Sequence, residues 1–334
     1  MIKVTALTSG QNAPATRFRV RPFIKPLRSS GIEVSEHCPF FENYLTRRVP
    51  AIGLLARVPG VLASRRGDVT WLERALIPER QTLEFFTGGK RVFDVDDAIW
   101  LLRNSRFSER IATRCDAVIA GNDFLAEHYR NEGARVFVVP TSIDTEVWKP
   151  RRKPESSRWT VGWIGTSSNL SYLYEVEEPV ARFLRDYRES ELLIVCDKGP
   201  AFTDKTIADR VRYVKWSPDR EVELVQSMDV GLMPLADTDW ARGKCALKML
   251  GYMAVGIPVI ASPVGVNQRL FQQAAIGWPA VTHEDWYEAL RQAFLNRSLS
   301  GRFGAAGKQT VEAQYSIHSN VQLLAEVFKT VMSV

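Results

Sequence analysis

The chain is predicted to fold as two doubly wound α/β domains in tandem, each a parallel sheet covered by helices on both faces. Three observations carry that prediction. Its 334 residues exceed what one hydrophobic core organises and suit two domains. Short β-rich runs alternate with helical patterns through both halves. The alternation stops at a charged Pro/Ser stretch, residues 149–158, and then restarts. Composition agrees: 45% hydrophobic, 10% aromatic and 25% charged residues describe an ordinary globule and exclude a disordered, fibrous or repeat protein.

In order, residues 1–148 form the first domain, 149–158 the linker, 159–314 the second domain and 315–334 a C-terminal helix. Apolar, β-branched runs predict strands at 2–7, 69–72, 91–94, 117–120 and 136–139. A helix follows the first strand, with Phe18, Pro22, Phe23, Ile24 and Leu27 on its apolar side. Others cover 107–114 and 123–131, the latter capped by Asn122. After the linker, strands are expected at 159–165, 192–196, 211–214, 230–233 and 258–261, and closing helices near 284–296, 299–312 and 319–332. Such domains bind ligands where βα loops meet, at the carboxyl ends of the strands and hence in the cleft between domains.

No apolar run approaches the ~20 residues that span a bilayer. The start, Met1-Ile2-Lys3-Val4-Thr5, lacks the apolar stretch and cleavage site of a signal peptide. Cys38, Cys115, Cys196 and Cys245 stand at no metal or disulfide spacing, which fits a reducing cytoplasm. None of His37, His128, His283 and His318 has a partner at ligand spacing, so no metal is expected.

Charge is uneven. Lys plus Arg number 44 against 38 Asp plus Glu, and residues 1–150 hold 22 of the basic and 17 of the acidic side chains, a net of +5. A basic surface suits nucleic acid, anionic lipid or a phosphorylated substrate. Without a recognisable module of interleaved aromatics, nucleic acid is not expected. Residues 43–67 contain no acid, and two readings stand: an interfacial helix against anionic lipid, or a core-facing helix broken by Pro50 and Pro59.

The richest stretch is 237–262: a basic loop with Arg242, Gly243 and Lys244, a helix over 245–254, Gly256 as its stop and a buried strand. A helix start beside basic residues is an anion site. Lys244 and Lys248, four apart, would share a helical face and grip one diphosphate; the plainer reading is a solvated basic face. Asp94, Asp96 and Asp97 follow a strand, where they need a cation, a helix start or water. Asp96 or Asp97 would take an acceptor proton or bind sugar hydroxyls, or else serve as a cap and an ion pair with Arg74 or Arg91. Arg17, Arg19 and Arg21 would bind a phosphate-bearing acceptor, or stand partly in structural roles. Trp163 and Trp240 would line the donor pocket or belong to the core.

The run Gly243-Lys244-Cys245…Lys248…Tyr252-Met253-Ala254-Val255-Gly256-Ile257-Pro258 resembles the C-terminal signature of retaining glycosyltransferases of family 4. It is most similar to a bacterial branch with a Gly-Lys-Cys…Lys…Tyr-Met-Ala-x-Gly pattern. Arg17-Phe18-Arg19, Phe93 to Trp100, Ala120-Gly121-Asn122, Val139 to Asp144 and Gly162-Trp163-Ile164-Gly165 match in the same order, so the resemblance spans nearly the whole chain. It implies a GT-B fold, with the acceptor on the first domain, a nucleotide-sugar donor on the second, and a final helix crossing back to the first.

Three departures from the family pattern matter. The family's paired Glu positions fall on Gly243 and Gly251. Its Arg and Lys after the first strand of the second domain are replaced by Gly165-Thr166-Ser167-Ser168-Asn169, whose hydroxyls and N–H groups bind phosphate without charge. Its first-domain His is replaced by the Asp94-x-Asp96-Asp97 cluster.

The resemblance therefore implies donor contacts from Gly165, Thr166, Ser167, Arg242, Gly243, Lys244, Cys245, Lys248 and Tyr252, and acceptor contacts from Arg17, Arg19, Arg74 and Asp94. Asp96, Asp97, Lys244 and Lys248 would carry the chemistry, with no metal and no cofactor beyond the donor. The expected activity is retaining transfer of a sugar from a nucleoside-diphosphate sugar to a glycan or lipid-linked acceptor, in bacterial surface polysaccharide or glycoconjugate synthesis. The expected setting is the cytoplasm, peripheral on the inner membrane face. The rivals are an epimerase or hydrolase of the same fold and a degenerate, non-catalytic binder.

Overall fold

The computed structural model describes residues 1–39, 50–102, 106–151 and 158–333. Most of the expected linker, 152–157, and residues 43–49 of the acid-free run lie outside them. The described chain divides into two units. Unit 1 comprises Met1–Ser142, Arg242–Cys245 and Ile317–Val334; unit 2 comprises Ile143–Ala241 and Ala246–Ser316.

Unit 1 is a six-stranded sheet of order β2-β1-β3-β4-β5-β6, with β1 at Ile2–Leu7, β2 at Ile32–His37, β3 at Val69–Glu73, β4 at Lys90–Val95, β5 at Ala117–Ala120 and β6 at Val136–Val138. Every pairing is parallel, with Val4 opposite Val34 and Val69. Fully covered parallel strands read as unbroken apolar runs, and Val92, Phe93, Ala117, Val118 and Ile119 are completely buried. The helix Ile317–Met332 adds Val321, Leu324 and Phe328 to this core, and Trp71 meets Phe328 edge-on at 5.3 Å.

Unit 2 repeats the plan with order β12-β11-β10-β7-β8-β9. Its strands are β7 Trp159–Gly165, β8 Ser190–Cys196, β9 Val211–Lys215, β10 Val230–Met233, β11 Val259–Ala261 and β12 Gly277–Pro279, again all parallel. Trp159, Trp163, Phe183, Ile194 and Trp286 anchor its core. Trp163 is thus a core residue.

Two edge strands, β2 and β12, escape the sequence pattern. In β2 burial alternates along Ile32-Glu33-Val34-Ser35, and β12 is only Gly-Trp-Pro, with its proline at a sheet edge where a missing donor costs least. The helix expected after β1 is three short turns: a π turn at Thr16–Val20, a 3-10 turn at Arg21–Phe23 and an α turn at Ile24–Arg28. Pro22 and Pro26 lack the N–H groups that a continuous helix would need. The acid-free run forms one helix, Pro50–Ser64, that continues through Pro59. That proline is on the exposed side of the helix, so the expected break does not occur.

Candidate functional site

The carboxyl end of β4 in unit 1 gathers the predicted acidic cluster. Asp94 is buried, accepting from Arg19 Nε at 2.6 Å and from Trp71 Nε1 at 3.1 Å. Arg19, itself buried, also donates to the Val139 carbonyl and to Thr141. These two candidate acceptor residues therefore spend their charges on each other. Arg21 forks onto Glu36, and Arg17 is half-buried with its guanidinium 5.2 Å from the Phe18 ring.

Asp96 and Asp97 are held by one arginine. Arg74 Nε donates to Asp96 Oδ1 and Nη2 to Asp97 Oδ2, each at 2.6 Å. Arg74 follows β3 with φ 60°, a left-handed conformation costly for a side chain of this size, and its N–H donates to the Asp94 carbonyl. Burial would raise both carboxyls. For Asp96 the charge and hydrogen bond of Arg74 win and hold it below its ordinary value. Asp97 stays above its ordinary value, because burial and the Asp96 charge outweigh the pull of Arg74 and Lys244. Environments that push two adjacent carboxyls apart suit an acid/base pair.

Arg74→Gln removes the cation from both groups and raises both. The paired Asp96 contributes stability above its ordinary value of 3.8 and loses it as pH falls through the lower folded value; the variant has no such contribution to lose. If these carboxylates take part in catalysis, the acid limb of the activity profile should move to higher pH in Arg74→Gln and return in Arg74→Lys. A profile unchanged in Arg74→Gln would remove these carboxylates from the chemistry.

The segment Arg242–Cys245 packs within unit 1. Asn122 caps the helix Asp123–Asn131 through Leu125 N–H, and its amide donates to the Gly243 carbonyl at 3.0 Å and the Lys244 carbonyl at 3.3 Å. The Cys245 thiol donates to the Asp96 carbonyl at 3.3 Å. Burial pushes that thiol up to about 12, so it remains a neutral donor. Gly243 is required by space: a Cβ there would lie 2.6 Å from Ala98 Cβ. In unit 2, one at Gly251 would lie 3.0 Å from the Trp148 ring. A side chain at Gly243 thus has no room, while one at Gly251 would need the Trp148 ring to give by a few tenths of an ångström.

In unit 2 the helix after the basic loop is Leu247–Ala254, shorter than expected. Ala246, left-handed at φ 55°, ends the loop and supplies no side-chain cap. Lys244 is therefore outside the helix, and the shared helical face predicted for Lys244 and Lys248 does not exist. Lys248 is in the first turn, with its Nζ 4.6 Å from the Trp163 ring and its Cε packed on Gly165 at the end of β7. A lysine at a helix start is electrostatically unfavourable unless an anion joins it.

Two further expectations are corrected. Tyr252 is fully buried, its hydroxyl accepting from Ile164 N–H at 3.1 Å and donating to the Leu232 carbonyl at 3.3 Å. With both functions used, it ties β7 to β10 and does not face a ligand. Ser167 gives its N–H to Asp197 Oδ1 at 2.6 Å and its hydroxyl to Oδ2 at 2.9 Å. Asn169 donates to Thr166 Oγ1, which also pairs with Ser168 Oγ. The Thr166, Ser168 and Asn169 side chains thus pair with one another, and the Ser167 donors are taken by Asp197. Burial would raise that carboxyl, but the Ser167 bonds hold it below its ordinary value. Sequence reasoning missed Asp197, although an acid directly after a buried strand was a readable signal.

Arg242 is exposed and Trp240 half-buried. Among the described residues no group of three His, Cys, Asp or Glu side chains is arranged for a metal ion, and no helix is long and apolar enough to cross a membrane.

Residues 159–296 match the family glycosyl transferases group 1. No curated protein matches the chain. Among solved structures, a sucrose-phosphate synthase from Thermosynechococcus elongatus is similar at TM-score 0.72 and 12% identity, covering 100% of both chains. Anabaena HepE in complex with UDP-glucose is similar at 0.68 and 15%, covering 99% of this chain and 100% of its own. The catalytic domain of starch synthase IV from Arabidopsis thaliana, bound to ADP and acarbose, is similar at 0.71 and 11%, covering 100% of both. At such identities these likenesses establish the fold, which is GT-B. The class follows from the group 1 domain carried on that fold: the chain is a glycosyltransferase.

Proposed function

We propose that the enzyme moves a sugar, with retention and without a metal, from a nucleoside-diphosphate sugar to a hydroxyl of a glycan or lipid-linked acceptor. The start of the helix Leu247–Ala254 carries this reading: it has no side-chain cap, and Lys248 in its first turn adds a cation to the helix N–H groups, a combination suited to a diphosphate. The anomeric C–O bond to the β-phosphate breaks while oxocarbenium-like charge develops, and the leaving diphosphate is stabilised by Lys248 and the helix N–H groups. Lys244 contributes a second cation. The acceptor oxygen bonds to the anomeric carbon on the same face, and its proton passes to the leaving phosphate or to Asp97. UDP-glucose in the HepE complex and ADP in the starch synthase complex support a nucleotide-sugar donor. The same reading places the enzyme in the cytoplasm, on the inner membrane face, building surface polysaccharide or glycoconjugate.

Thermal-shift screening against UDP-, GDP-, ADP- and dTDP-sugars tests the donor. A true donor at 100 times its Kd adds about 2.7 kcal/mol to stability. Sugar release should then require an acceptor. Turnover of donor alone would favour an epimerase or hydrolase, and binding without release a degenerate member.

A further inference from the structure

The helix Pro50–Ser64 is amphipathic in the wrong sense. The side turned to the protein carries Gly53, Arg57, Gly60, Val61 and Ser64, while Ile52, Leu55, Val58 and Leu62 are 43%, 71%, 39% and 54% exposed. Their spacing of three, three and four residues puts the apolar set on one face. The protein-facing side is small because the helix lies close on β1: a Cβ at Gly60 would be 2.9 Å from a Leu7 methyl and 3.2 Å from His37 Cβ. Arg57 is buried there, donating to the Thr8 carbonyl. A soluble helix ordinarily buries its leucines; this one presents them to solvent.

The surroundings indicate what covers the stripe. Arg65 and Arg66 follow the helix and are exposed, and the run 43–67 holds no acid. Phe86, 60% exposed, stands beside Arg65, whose Nε faces the Phe86 carbonyl at 3.5 Å. Apolar side chains with an aromatic and flanking arginines match the boundary of an anionic bilayer, where the chains enter the acyl edge and the guanidiniums meet phosphate.

We infer that the exposed face of the helix Pro50–Ser64, with Phe86, Arg65 and Arg66, is the surface on which this enzyme docks to anionic lipid. The inference deepens the membrane-peripheral reading above and rests on it. It assigns membrane binding to one helix and predicts dependence on both its apolar and its basic residues.

The test is co-sedimentation of the full chain with phosphatidylglycerol-containing and pure phosphatidylcholine vesicles. The wild type should bind the anionic vesicles at least tenfold better. Leu55→Asp/Leu62→Asp should lose binding at least tenfold, and Arg65→Gln/Arg66→Gln about fivefold for each charge removed, the equivalent of ~1 kcal/mol per near-surface cation. Leu55→Trp should blue-shift its added fluorescence on anionic vesicles, a readout that survives if the Asp variant fails to fold. Donor-induced thermal shifts should persist in every variant. Absence of wild-type binding to anionic vesicles would overturn both the membrane reading and the docking helix. Wild-type binding undiminished in folded Leu and Arg variants would overturn the helix alone. A lipid-free dimer that becomes monomeric in Leu55→Asp/Leu62→Asp would overturn lipid in favour of a second copy.

Discussion

Replacing Lys248 by methionine is expected to slow sugar transfer about 10²–10³-fold, the effect typical of deleting one group that stabilises developing charge. Methionine keeps an unbranched stem against Trp163 and Gly165, so the packing around Cε is largely retained while the charge is lost. The charge sits in the first turn of Leu247–Ala254, where the helix already presents positive potential. A diphosphate bound there gains from both the lysine and the helix start, so Lys248→Met should weaken donor-induced stabilisation. Lys248→Arg should recover part of the rate. Steady-state kinetics with the donor found by screening provide the measurement, and a near-wild-type rate in Lys248→Met would remove this lysine from the mechanism.

Replacing Arg19 by methionine is expected to produce the largest stability loss, about 3–5 kcal/mol, because it leaves the Asp94 carboxylate buried without its counter-charge. The side chains of the pair are 3% and 2% exposed, so water cannot compensate. In a domain of this size each kcal/mol is worth roughly 2–4 °C in Tm. The double variant Arg19→Met/Asp94→Leu should regain part of the loss, since an apolar pair needs no desolvation. Recovery should stop short of the wild type, because Trp71 Nε1 loses its acceptor and the Val139 carbonyl a donor. Urea denaturation of the single and double variants closes the cycle. A loss below 1 kcal/mol in Arg19→Met would show that Asp94 carries no charge in the folded protein.

Much of this was legible in the chain, for identifiable reasons. Interior strands such as β5 (Ala-Val-Ile-Ala) and the Leu192–Val195 part of β8 are apolar runs because both faces are covered, and such runs stand out without periodicity. β2, which alternates buried and exposed residues, and β12, only Gly-Trp-Pro, carry no such run. The acidic cluster after β4 was visible as three Asp in four residues, and its need for a cation followed from elementary electrostatics. Arg74 was one of the two partners the sequence offered, and it holds Asp96 and Asp97; that Arg19, 75 residues away, answers Asp94 was not visible.

The same division holds across the site. The sequence alone determined that two parallel α/β units lie in tandem, that basic charge gathers in the first half, and that a basic loop with Gly243 precedes a helix in the second. Each is a local property of composition and spacing. Only the tertiary structure decided that Lys244 leaves the helix at a left-handed Ala246, that Tyr252 bridges two strands, and that Asp197 closes the Ser167 loop. It alone decided that Ala98 leaves no room for a side chain at Gly243, and that Leu55 and Leu62 of Pro50–Ser64 face outward. Those outcomes depend on which distant group arrives within 3 or 4 Å of a side chain. Burial, charge pairing and steric exclusion act through space, and spacing along the chain does not encode them.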